Sequence, residues 1–424
     1  MQIRHIRGMN DVLPDAEALW SAVESAAKSV FDGYGYRRIR LPVMERTELF
    51  SRSIGETTDI VQKEMYTFTD RSGCSVTLRP EATASVVRAG LSHGLFHNRQ
   101  QKLWCSGPMF RHERPQKARY RQFHQIDVEA IGFAGPEVDA EIIVMSARIW
   151  ERLGLDSPRL ELNSLGTPDC RAGYRKALQE YFSAAGDVLD ASSLERLRRN
   201  PLRILDSKDP HLGELIAAAP VLSGYLDDDS AAHFKRLTEL LDDAGVEYRI
   251  NPRLVRGLDY YTRTVFEWVT DRLGAQGAIC SGGRYDGLVA QLGGRNTPAI
   301  GWAMGLERVV ELMEEEGRRQ IRSPPHGYLV IAGDEARRRG LGIAETLRAR
   351  IPGIRITMDC AGGSFRSQMK RADRSGALLA LILGDDELAN NALTIKPLRE
   401  VSQQKTCSLN KAVTELLRVR DESP

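Results

Sequence analysis

The segment between Arg111 and Gln125 holds the densest group of side chains that could act on a phosphorylated substrate. Its sequence, RHERPQKARYRQFHQ, carries five basic residues and one acid between Arg111 and Arg121. A planar guanidinium donates two hydrogen bonds to phosphate oxygens at once, so arginines here favour phosphate binding. Tyr120 and Phe123 alternate with the charges, as on many surfaces that bind single-stranded nucleic acid. The alternative is a solvated surface loop, because charged loops usually have no other role.

Two further segments place polar or aromatic side chains beside predicted strands. Glu81 and Thr83 follow a strand and a proline turn, where a carboxylate could hold a substrate ammonium, although an acid in a turn is more often only solvated. In Val255–Trp268, VRGLDYYTRTVFEW, two adjacent tyrosines precede an alternating strand. Neighbours on a strand face opposite sides, so we expect at most one tyrosine to line a pocket unless the backbone bends. Packing of both rings in the core is an equally good interpretation.

Glycine-rich backbone and a histidine pair give weaker signals. Ser281–Gly287 and Ala299–Arg308 bring glycines ahead of a helix, where a ligand can approach the main chain closely. Neither segment matches the dinucleotide fingerprint or the Walker A loop, so the pattern alone does not favour a phosphate role. His93 and His97 lie four residues apart and could share a helix face. No HExxH motif or nearby cysteine completes a metal site, and we predict no bound metal.

The elements that position these residues indicate an antiparallel sheet. Asp15–Phe31 is predicted as an amphipathic helix with Asp15 as its N-cap. From Tyr36 to about Gly135 strand patterns follow one another closely, which favours antiparallel pairing over alternating strand–helix units. The predicted strands of this region and beyond are Tyr36–Leu41, Glu64–Thr69, Ser75–Leu78, Lys102–Arg111, Gln122–Ile131, Thr264–Val269 and Gly277–Cys280.

Residues from about 170 to 250 change in character. They are charged and mostly helical in pattern, with Cys170–Ala184 and Ser193–Arg199 as predicted helices. Strand patterns return after this stretch, and a helix is predicted over Leu306–Glu316. The sequence therefore predicts a helical insertion within one larger domain.

A polar segment with paired prolines, Gly317–His326, predicts a linker. Residues 326–424 then alternate strands and helices, which predicts a separate α/β domain after a first domain of residues 1–325. From His326 onward the chain has 16 Lys and Arg and 12 Asp and Glu, and this net charge of +4 favours a polyanion only weakly. The predicted elements are strands 327–332, 354–359, 377–384 and 392–397 and helices 335–350, 365–374 and 410–420.

Composition limits the class of protein. A chain of 424 residues exceeds one typical domain, and 42% hydrophobic with 27% charged residues is typical of a globular protein. Six scattered cysteines without a CxxC spacing indicate neither a zinc ribbon nor a redox motif and fit a reducing cytoplasm. The start, MQIRHIRGMN, lacks the apolar stretch of a signal peptide, and the longest apolar run, Ala377–Leu383, is too short to cross a bilayer. We expect a cytoplasmic protein with no membrane partner.

Taken together, these segments resemble the class II aminoacyl-tRNA synthetases, and among them the histidine-specific family. Arg7–Pro14, RGMNDVLP, is similar to the family's opening motif, and the helix and strand that end at Pro42 are similar to class II motif 1. Phe110–Glu113 with the following strand resembles motif 2, and Gly301–Arg308 resembles motif 3. VRGLDYYTRTVFEW and SGGRYDGL resemble the two histidine-specific motifs, and GSFRSQMKRAD and TIKPLR resemble the family's anticodon-binding domain.

The resemblance implies a fold and an activity. The fold would be α+β: a class II catalytic domain built on an antiparallel sheet with a helical insertion, followed by a C-terminal α/β anticodon-binding domain. The enzyme would join histidine and ATP to give histidyl-adenylate and pyrophosphate, and then transfer histidine to the 3′ end of its tRNA. ATP would bring Mg²⁺ with it, and motif 1 would form the interface of a homodimer.

The same resemblance implies roles for particular residues. Arg111 and Arg256 would meet the α-phosphate, with Arg256 in a part that a metal ion plays in related enzymes, and Arg308 would lie near the γ-phosphate. Glu113 would also bind ATP, and Arg114 and Gln116 in the motif 2 loop would touch the acceptor end of the tRNA. The residues implied to bind histidine are Glu81, Ala82, Thr83 and Gln125 near its ammonium group, Glu129, Tyr260 and Tyr261 near its imidazole, and Arg256.

Three other functions stay open at this point. A regulatory subunit of ATP phosphoribosyltransferase shares the catalytic fold but typically lacks the anticodon domain and resembles the histidine motifs less. A class II synthetase for another amino acid is disfavoured by VRGLDYY. An RNA-binding module without catalysis is not excluded by charge patterning. ATP–pyrophosphate exchange separates all three from the histidine enzyme.

Overall fold

The computed structural model describes residues 3–55, 58–185, 189–190, 193–194, 197, 201–205, 209–274, 277–318, 324–400 and 402–422. The chain forms two compact units, Met1–Arg319 and Gln320–Pro424. The division falls inside the polar, proline-containing segment that the sequence predicts as a linker.

The first unit combines a large sheet with helices on both of its faces. Its helices and strands are, in chain order, α1 (Pro14–Gly33), β1 (Arg37–Arg38), β2 (Met44–Arg46), α2 (Thr47–Ile54), β3 (Tyr66–Thr69), β4 (Ser75–Leu78), α3 (Thr83–Ser92), β5 (Gln101–Phe110), β6 (Gln122–Ile131), α4 (Pro136–Leu153), β7 (Arg159–Ser164), α5 (Pro168–Ala184), α6 (Gly213–Ala218), α7 (Asp228–Asp243), β8 (Tyr248–Ile250), β9 (Thr262–Val269), β10 (Ala278–Arg284), α8 (Leu288–Gln291), β11 (Ala299–Gly305) and α9 (Leu306–Glu315). Shorter helical turns cover Ile60–Glu64, Pro201–Ile204, Pro210–Leu212 and Leu222–Tyr225.

The large sheet has eight strands in the order β1-β5-β6-β11-β10-β9-β7-β8. The central pairs from β5 through to β7 are antiparallel, as predicted, whereas the edge strands β1 and β8 pair in parallel. A separate three-stranded sheet has the order β2-β4-β3. Antiparallel sheets of this kind alternate the side chains of each strand between two faces, which lets one face pack and the other carry a site.

One face of the large sheet packs against a layer of helices. Ile126 and Val128 of β6, and Trp302 of β11, are buried there among apolar side chains of α1, α4, α7 and α9. The opposite face is covered around its edges by α3, α5 and the rest of the insertion. Val86 of α3 and Tyr174 of α5 are buried there. The alternating neighbours of the packed residues on β6 therefore point toward the second face, where a cleft remains open.

Several elements of the first unit differ from the sequence predictions. The first helix starts at Pro14, and Leu13 is its N-cap, so the prediction of Asp15 as N-cap is wrong; proline is well suited to the first helical position because its missing N–H has no partner there. The predicted strand over Tyr36–Leu41 shrinks to β1. Much of the predicted helix Ser193–Arg199 lies outside the described residues.

The glycine-rich segments belong largely to strands. SGGR continues β10 to Arg284, and AIGWAMG is β11 in full, ending where α9 begins. Gly282, Gly283 and Gly301 therefore lie inside a sheet, whereas Gly287 and Gly305 directly precede α8 and α9, as expected of glycines ahead of a helix. Glycine inside a strand marks a place where another group approaches the backbone closely.

The second unit is a five-stranded sheet with helices. Its elements are β12 (Gly327–Ala332), α10 (Asp334–Arg350), β13 (Ile356–Met358), α11 (Phe365–Arg374), β14 (Leu379–Gly384), α12 (Asp385–Ala389), β15 (Ala392–Pro397), β16 (Lys405–Ser408) and α13 (Leu409–Glu422). The order β13-β12-β14-β15-β16 is parallel in its first three strands and antiparallel in its last three. The sequence predicts all but the short elements α12 and β16.

Candidate active site

Two adjoining cavities form one cleft on the second face of the large sheet. The larger has a volume of about 620 Å³ and the smaller about 350 Å³. Both are lined by the same group of residues where they meet, namely Arg111, Gln125, Glu267, Ser281 and Ala303. The cleft is therefore continuous, and a ligand that occupied both parts would pass Arg111.

Small residues on β10 and β11 leave the room for this cleft. Ser281 pairs with Ala303 across the two strands, and Gly283 pairs with Gly301. A Cβ atom at Gly301 would collide with the Glu129 carboxylate and with the backbone of β6. Glycine at this position therefore allows a buried carboxylate to lie against the strand.

The polar side chains of β6 lie along one face because residues two apart on a strand point the same way. Gln125 and Asp127 line the larger cavity. Glu129 lies further along the same face, is 1% exposed, and is not among the residues that line either cavity. Its direct contact with an imidazole ring stays a prediction.

The turn before α3 delivers a second carboxylate to the cleft. Glu81 lines the larger cavity with Thr83, and its Oε1 accepts a hydrogen bond from the backbone N–H of Ala84 at 3.1 Å. A carboxylate at a helix N-terminus is favoured by the unpaired N–H groups there. Burial nevertheless raises the pKa of Glu81. Ala82 lies between these two residues and is fully buried, away from the cavity walls.

A hydrogen-bonded chain connects this turn to Glu129. Thr83 Oγ1 donates to Glu129 Oε1 at 2.7 Å, and the Tyr285 hydroxyl donates to Glu129 Oε2. Burial raises the pKa of Glu129 well above its usual value, against the opposing effect of these two hydrogen bonds. Both donors line the larger cavity, so Glu129 is connected to the cleft through them.

Both tyrosines of the VRGLDYY segment line the larger cavity. The pairing of β9 with β10 is irregular where β9 begins, and Arg263 there has a φ of 48°. Tyr260 and Tyr261 precede Thr262, the first residue of β9, so strand alternation does not separate them and both can share a pocket. The Tyr260 and Tyr261 ring centroids are 4.7 Å apart, and Tyr260 is 5.7 Å from the ring of Tyr285.

Arg256 lies on the wall of the larger cavity and is held from three sides. It forms an ion pair with Glu267, donates from Nη2 to Ser281 Oγ at 2.9 Å, and lies 5.4 Å from the Tyr261 ring centroid. Burial would lower the pKa of Arg256, but the neighbouring Glu267 raises it above the usual value. The guanidinium is therefore a permanent, oriented cation inside the cleft.

The smaller cavity is lined by Arg111, Glu113 and Arg308. Arg111 donates from Nε to the carbonyl of Pro80 at 2.9 Å and lies over the ring of Phe123. Burial lowers the pKa of both arginines. Buried cations whose charge is incompletely compensated attract anions, and a triphosphate is the kind of anion that such a cavity fits.

The basic segment forms a hairpin loop between β5 and β6, as predicted. Gln116 and Arg119 pair across its tip through their backbones, and Arg114 is exposed near the tip. Lys117 reaches α9 and pairs with Glu315 at 2.6 Å. Neither Arg114 nor Gln116 lines the cleft, so both are available to a larger partner outside it.

Several residues of the cleft received no role from the sequence. Among those that line the larger cavity are Asp127, Glu267, Ser281 and Tyr285. The alternation from Gln125 to Glu129 was a signal that could have indicated Asp127, because it lies between two predicted site residues on one strand face. The contact of Tyr285 with Glu129 joins residues distant in sequence, for which no local signal exists, and the contact of Glu267 with Arg256 joins two ends of one segment, which the strand pattern did not indicate.

The sequence predicts no bound metal and no membrane partner, and the described residues give one observation on each. α3 ends at Ser92, so His93 and His97 do not share a helix face, and no cluster of three potential metal-ligating side chains occurs in the described part of the chain. Within the same ranges, no helix has both the length and the apolarity needed to cross a membrane.

An antiparallel sheet with an arginine-lined cleft, joined to a C-terminal α/β unit, is the architecture of a class II aminoacyl-tRNA synthetase, and the comparisons agree. Residues 8–309 match the model of the histidyl-tRNA synthetase family, and residues 328–418 match that of the anticodon binding domain. The chain belongs to the histidyl-tRNA synthetase family.

Individual relatives support this membership over the whole chain. The chain is 59% identical to the histidine–tRNA ligase of Halorhodospira halophila over 414 residues, which cover 98% of this chain and 97% of the relative. It is also 59% identical to the histidine–tRNA ligase of Alkalilimnicola ehrlichii, with 95% and 93% covered. The crystal structure of apo S. aureus histidyl-tRNA synthetase matches with a TM-score of 0.82 at 36% identity, covering 98% of this chain and 100% of that one.

Proposed function

We propose that this chain activates L-histidine with ATP and transfers it to the 3′ end of histidine tRNA. The observation that carries the proposal is the continuity of the cleft at Arg111. One side of it is lined by buried carboxylates, tyrosines and Gln125, groups suited to a small zwitterion with a polar ring. The other side is lined by Arg111 and Arg308, groups suited to phosphates.

The first step joins these two sides. The histidine carboxylate attacks the α-phosphorus of ATP, the bond to the β-phosphate oxygen breaks, and pyrophosphate leaves. Negative charge on the phosphate oxygens rises in the transition state, so oriented cations lower the barrier. Arg111 lines both cavities where they meet, and Arg256 lines the larger one. These two arginines would hold the α-phosphate, and Arg308 in the smaller cavity would hold the far end of the triphosphate.

ATP is a substrate throughout the family, and Mg²⁺ would arrive with it, bridging phosphate oxygens. Glu113, which lines the smaller cavity, would contact the nucleotide. The carboxylates of the larger cavity are partly engaged by protein groups, since Glu267 pairs with Arg256 and Glu161 accepts from Asn251. The metal therefore belongs to the substrate in this proposal, and the protein contributes its arginines.

Recognition of histidine requires partners at both of its ends. Glu81, Thr83 and Gln125 would surround the ammonium group. Glu129 and Tyr261 would recognise the imidazole, and Tyr260 would lie beside them. A site whose buried polar groups match both ring nitrogens rejects apolar amino acids strongly, because such ligands would leave those groups unpaired.

Glu129→Ala is expected to raise the KM for histidine by roughly tenfold to a hundredfold while changing the KM for ATP little, since a hydrogen bond to a charged group is worth about 1.5–3 kcal/mol. Initial rates of ATP–pyrophosphate exchange at varied histidine and ATP measure both constants. Thr83 and Tyr285 lose their shared acceptor in this variant. Equal increases in the two constants would contradict a role in histidine recognition.

Transfer to tRNA would involve the hairpin loop and the second unit. Arg114 and Gln116 would contact the acceptor end, and the second unit would bind the anticodon, whose unpaired bases can be splayed apart and read at their edges. We also propose a homodimer formed through motif 1, and a cytoplasmic location, which the six free thiols fit.

Removing residues 326–424 is expected to reduce aminoacylation of histidine tRNA far more than ATP–pyrophosphate exchange. The residues of the cleft all lie in the first unit, so adenylate formation should persist. Exchange by the shortened chain reports that its catalytic unit is folded, and charging of tRNA is then measured on the same preparation. Unchanged charging would show that the second unit does not recognise the tRNA.

The proposed function as a whole is tested by ATP–pyrophosphate exchange with each of the twenty amino acids supplied separately. Exchange with histidine alone, followed by charging of histidine tRNA, is the expected result. Exchange with another amino acid would keep the class and change the substrate. Absence of exchange by folded protein would favour the non-catalytic regulatory paralogue.

A further inference from the structure

Two buried oxygen atoms, from residues two apart on one face of β6, have no donor. They are Gln125 Oε1 and Asp127 Oδ1, and no donor among the described residues reaches either of them. Both side chains line the larger cavity, and Asp127 is 1% exposed. Buried acceptors are nearly always hydrogen-bonded in folded proteins, so an adjacent unsatisfied pair that faces a cavity points to a ligand with several donors.

The other carboxylates of the cleft already have donors. Glu267 pairs with Arg256, Glu161 Oε2 accepts from Asn251 at 2.6 Å, and Glu81 accepts from the start of α3. The second oxygen of Asp127, Oδ2, has the Cys105 thiol as a weak donor at 4.0 Å. Among the described carboxylates that line the larger cavity, Asp127 therefore has the one oxygen that is buried and without a donor.

The side chains around Asp127 come from several elements. Ala303 of the neighbouring strand β11 lies opposite it and is uncharged. Burial and the charge of Glu81 raise the pKa of Asp127 to about 8, while Arg79 and Arg111 act in the opposite direction. An empty cleft near neutral pH thus holds Asp127 mainly as the neutral acid. The other titratable groups near it include Cys105 on β5, Cys280 on β10 and Glu129 on its own strand.

We propose that Asp127 is a further residue that positions histidine, and that its Oδ1 and Gln125 Oε1 accept two hydrogen bonds from the substrate's α-ammonium group. The proposal rests on the proposed function, because it assigns the amino-acid end of the same cleft. An ammonium has three N–H donors and no acceptor, which matches a pair of adjacent acceptors. A buried carboxylate and a buried ammonium also offset each other's loss of hydration.

Binding should release a proton. Asp127 changes from the neutral acid to the carboxylate when the ammonium arrives, its O–H proton passes to solvent, and the ammonium keeps all three of its own. The balance needs no other reactant. Because the carboxylate is the binding form, affinity for the ammonium rises with pH up to about 8 and levels off above the pKa of Asp127. A ligand without the ammonium gains nothing from this ionisation.

Calorimetry with two ligands tests this on the unmodified chain. Histidinol has the ammonium and imidazole of histidine, and imidazolepropionate has the imidazole without the ammonium. Titrations near pH 7.5, where an imidazole with an ordinary pKa of about 6.5 is mostly neutral, are run in two buffers of different ionisation enthalpy. We expect histidinol to release most of one proton per site and imidazolepropionate to release none. Equal proton release by both ligands, or no release with histidinol, would overturn the proposal.

A matched pair of variants assigns the proton to Asp127. In Asp127→Asn we expect the proton release to disappear and histidinol to bind roughly tenfold to a hundredfold more weakly at pH 8, the worth of a hydrogen bond between charged groups. Imidazolepropionate should bind the variant as well as it binds the unmodified chain, an outcome that general damage to the pocket would not give. Asp271→Asn, at an exposed carboxylate of the same unit, should leave both ligands unaffected.

Failure here is distinguishable from failure of the proposed function. Histidine-dependent exchange by the unmodified chain without proton release on histidinol binding would overturn the role of Asp127 alone. Proton-coupled binding of histidinol by a chain that exchanges nothing would support the ammonium site while the ligase activity fails. If Asp127→Asn does not fold, the absence of proton release on histidinol binding by the unmodified chain would still overturn the proposal.

Discussion

Arg256→Ala is expected to lower the rate of histidine-dependent ATP–pyrophosphate exchange by roughly a hundredfold to a thousandfold, the range found when one preorganised donor to a developing oxyanion is removed. The guanidinium is oriented before any substrate binds, by Glu267, Ser281 and the Tyr261 ring, so little reorganisation accompanies the reaction. Alanine removes the charge and also leaves Glu267, which is 20% exposed, facing the phosphates without its cation.

The chain offers controls on charge and on geometry for this variant. Arg256→Lys keeps the positive charge but loses the planar fork, so an intermediate rate is expected. Arg148→Ala removes an arginine that is 57% exposed on α4 and should exchange like the unmodified chain. Rates are measured at saturating histidine and ATP. A rate for Arg256→Ala equal to that of Arg148→Ala would show that Arg256 does not contact the reacting phosphate.

The role of Arg256 illustrates how the cleft combines local and distant signals. Its segment was recognisable in the sequence because VRGLDYY is long and distinctive, and the strand after it could be predicted from alternation. Its ion-pair partner Glu267 lies eleven residues further along the same segment, and Ser281, which also contacts Arg256, is brought beside Glu267 by the pairing of β9 with β10. Motif resemblance thus indicates the segment, whereas the contacts of its side chains come from the folded backbone and from sheet register.

The strand predictions show the same division. The bounds of β6 were predicted correctly, since ten residues with a packed apolar face give a strong periodic signal. The Tyr36–Leu41 prediction was too long because the pairing of β1 with β5 covers two residues, and pairing extent is a property of the partner strand. The glycines of β10 and β11 were not predicted as strand, because glycine is rare in strands, yet in the structure Gly301 makes room for Glu129.

The site residues divide in a similar way between those that line the cleft and those that support it. Tyr260 and Tyr261 both face the cavity because they lie in the turn before β9, which begins at Thr262, so strand alternation does not apply to them. Glu129 is expected at the imidazole, which stays a prediction, and in the structure it accepts hydrogen bonds from Thr83 and Tyr285, both of which line the cavity. The Glu129→Ala experiment tests whether it acts on histidine.

A buried ion pair next to Tyr285 leads to the second large effect. Arg284 and Asp139 are both fully buried, and they are joined by hydrogen bonds of 2.6 Å and 3.1 Å. Arg284 also donates to the carbonyls of Phe133 and Gly135, and His233 on α7 lies 2.8 Å from Asp139. Burial would raise the pKa of Asp139, but His233 and Arg284 lower it below the usual value. The network connects α4, α7 and β10 beneath the cleft.

Arg284→Met is expected to destabilise the first unit by roughly 3–5 kcal/mol, because it leaves the carboxylate of Asp139 buried without its main cation. All five tryptophans lie between Trp20 and Trp302, so urea unfolding followed by tryptophan fluorescence reports this unit alone. The loss should grow with pH. In the unmodified chain the pKa of Asp139 is lowered, so its carboxylate contributes its full stabilisation of the folded state at any pH above its pKa in the unfolded chain, about 3.9. In the variant, burial holds the proton on Asp139, so stability falls as pH rises above about 4.

Two further variants separate the buried pair from surface charge. Arg159→Met breaks an ion pair with Asp271 whose side chains are 62% and 82% exposed, and it should change stability by less than about 1 kcal/mol. Adding Asp139→Leu to Arg284→Met removes the stranded carboxylate, so much of the lost stability should return and the fall in stability with rising pH should disappear. If the single variant were as stable as Arg159→Met at every pH, the pair would not hold these elements together. Tyr285 follows Arg284 directly on the chain, so we expect the network to support the hydrogen bond between Tyr285 and Glu129. Such a result would contradict that expectation as well.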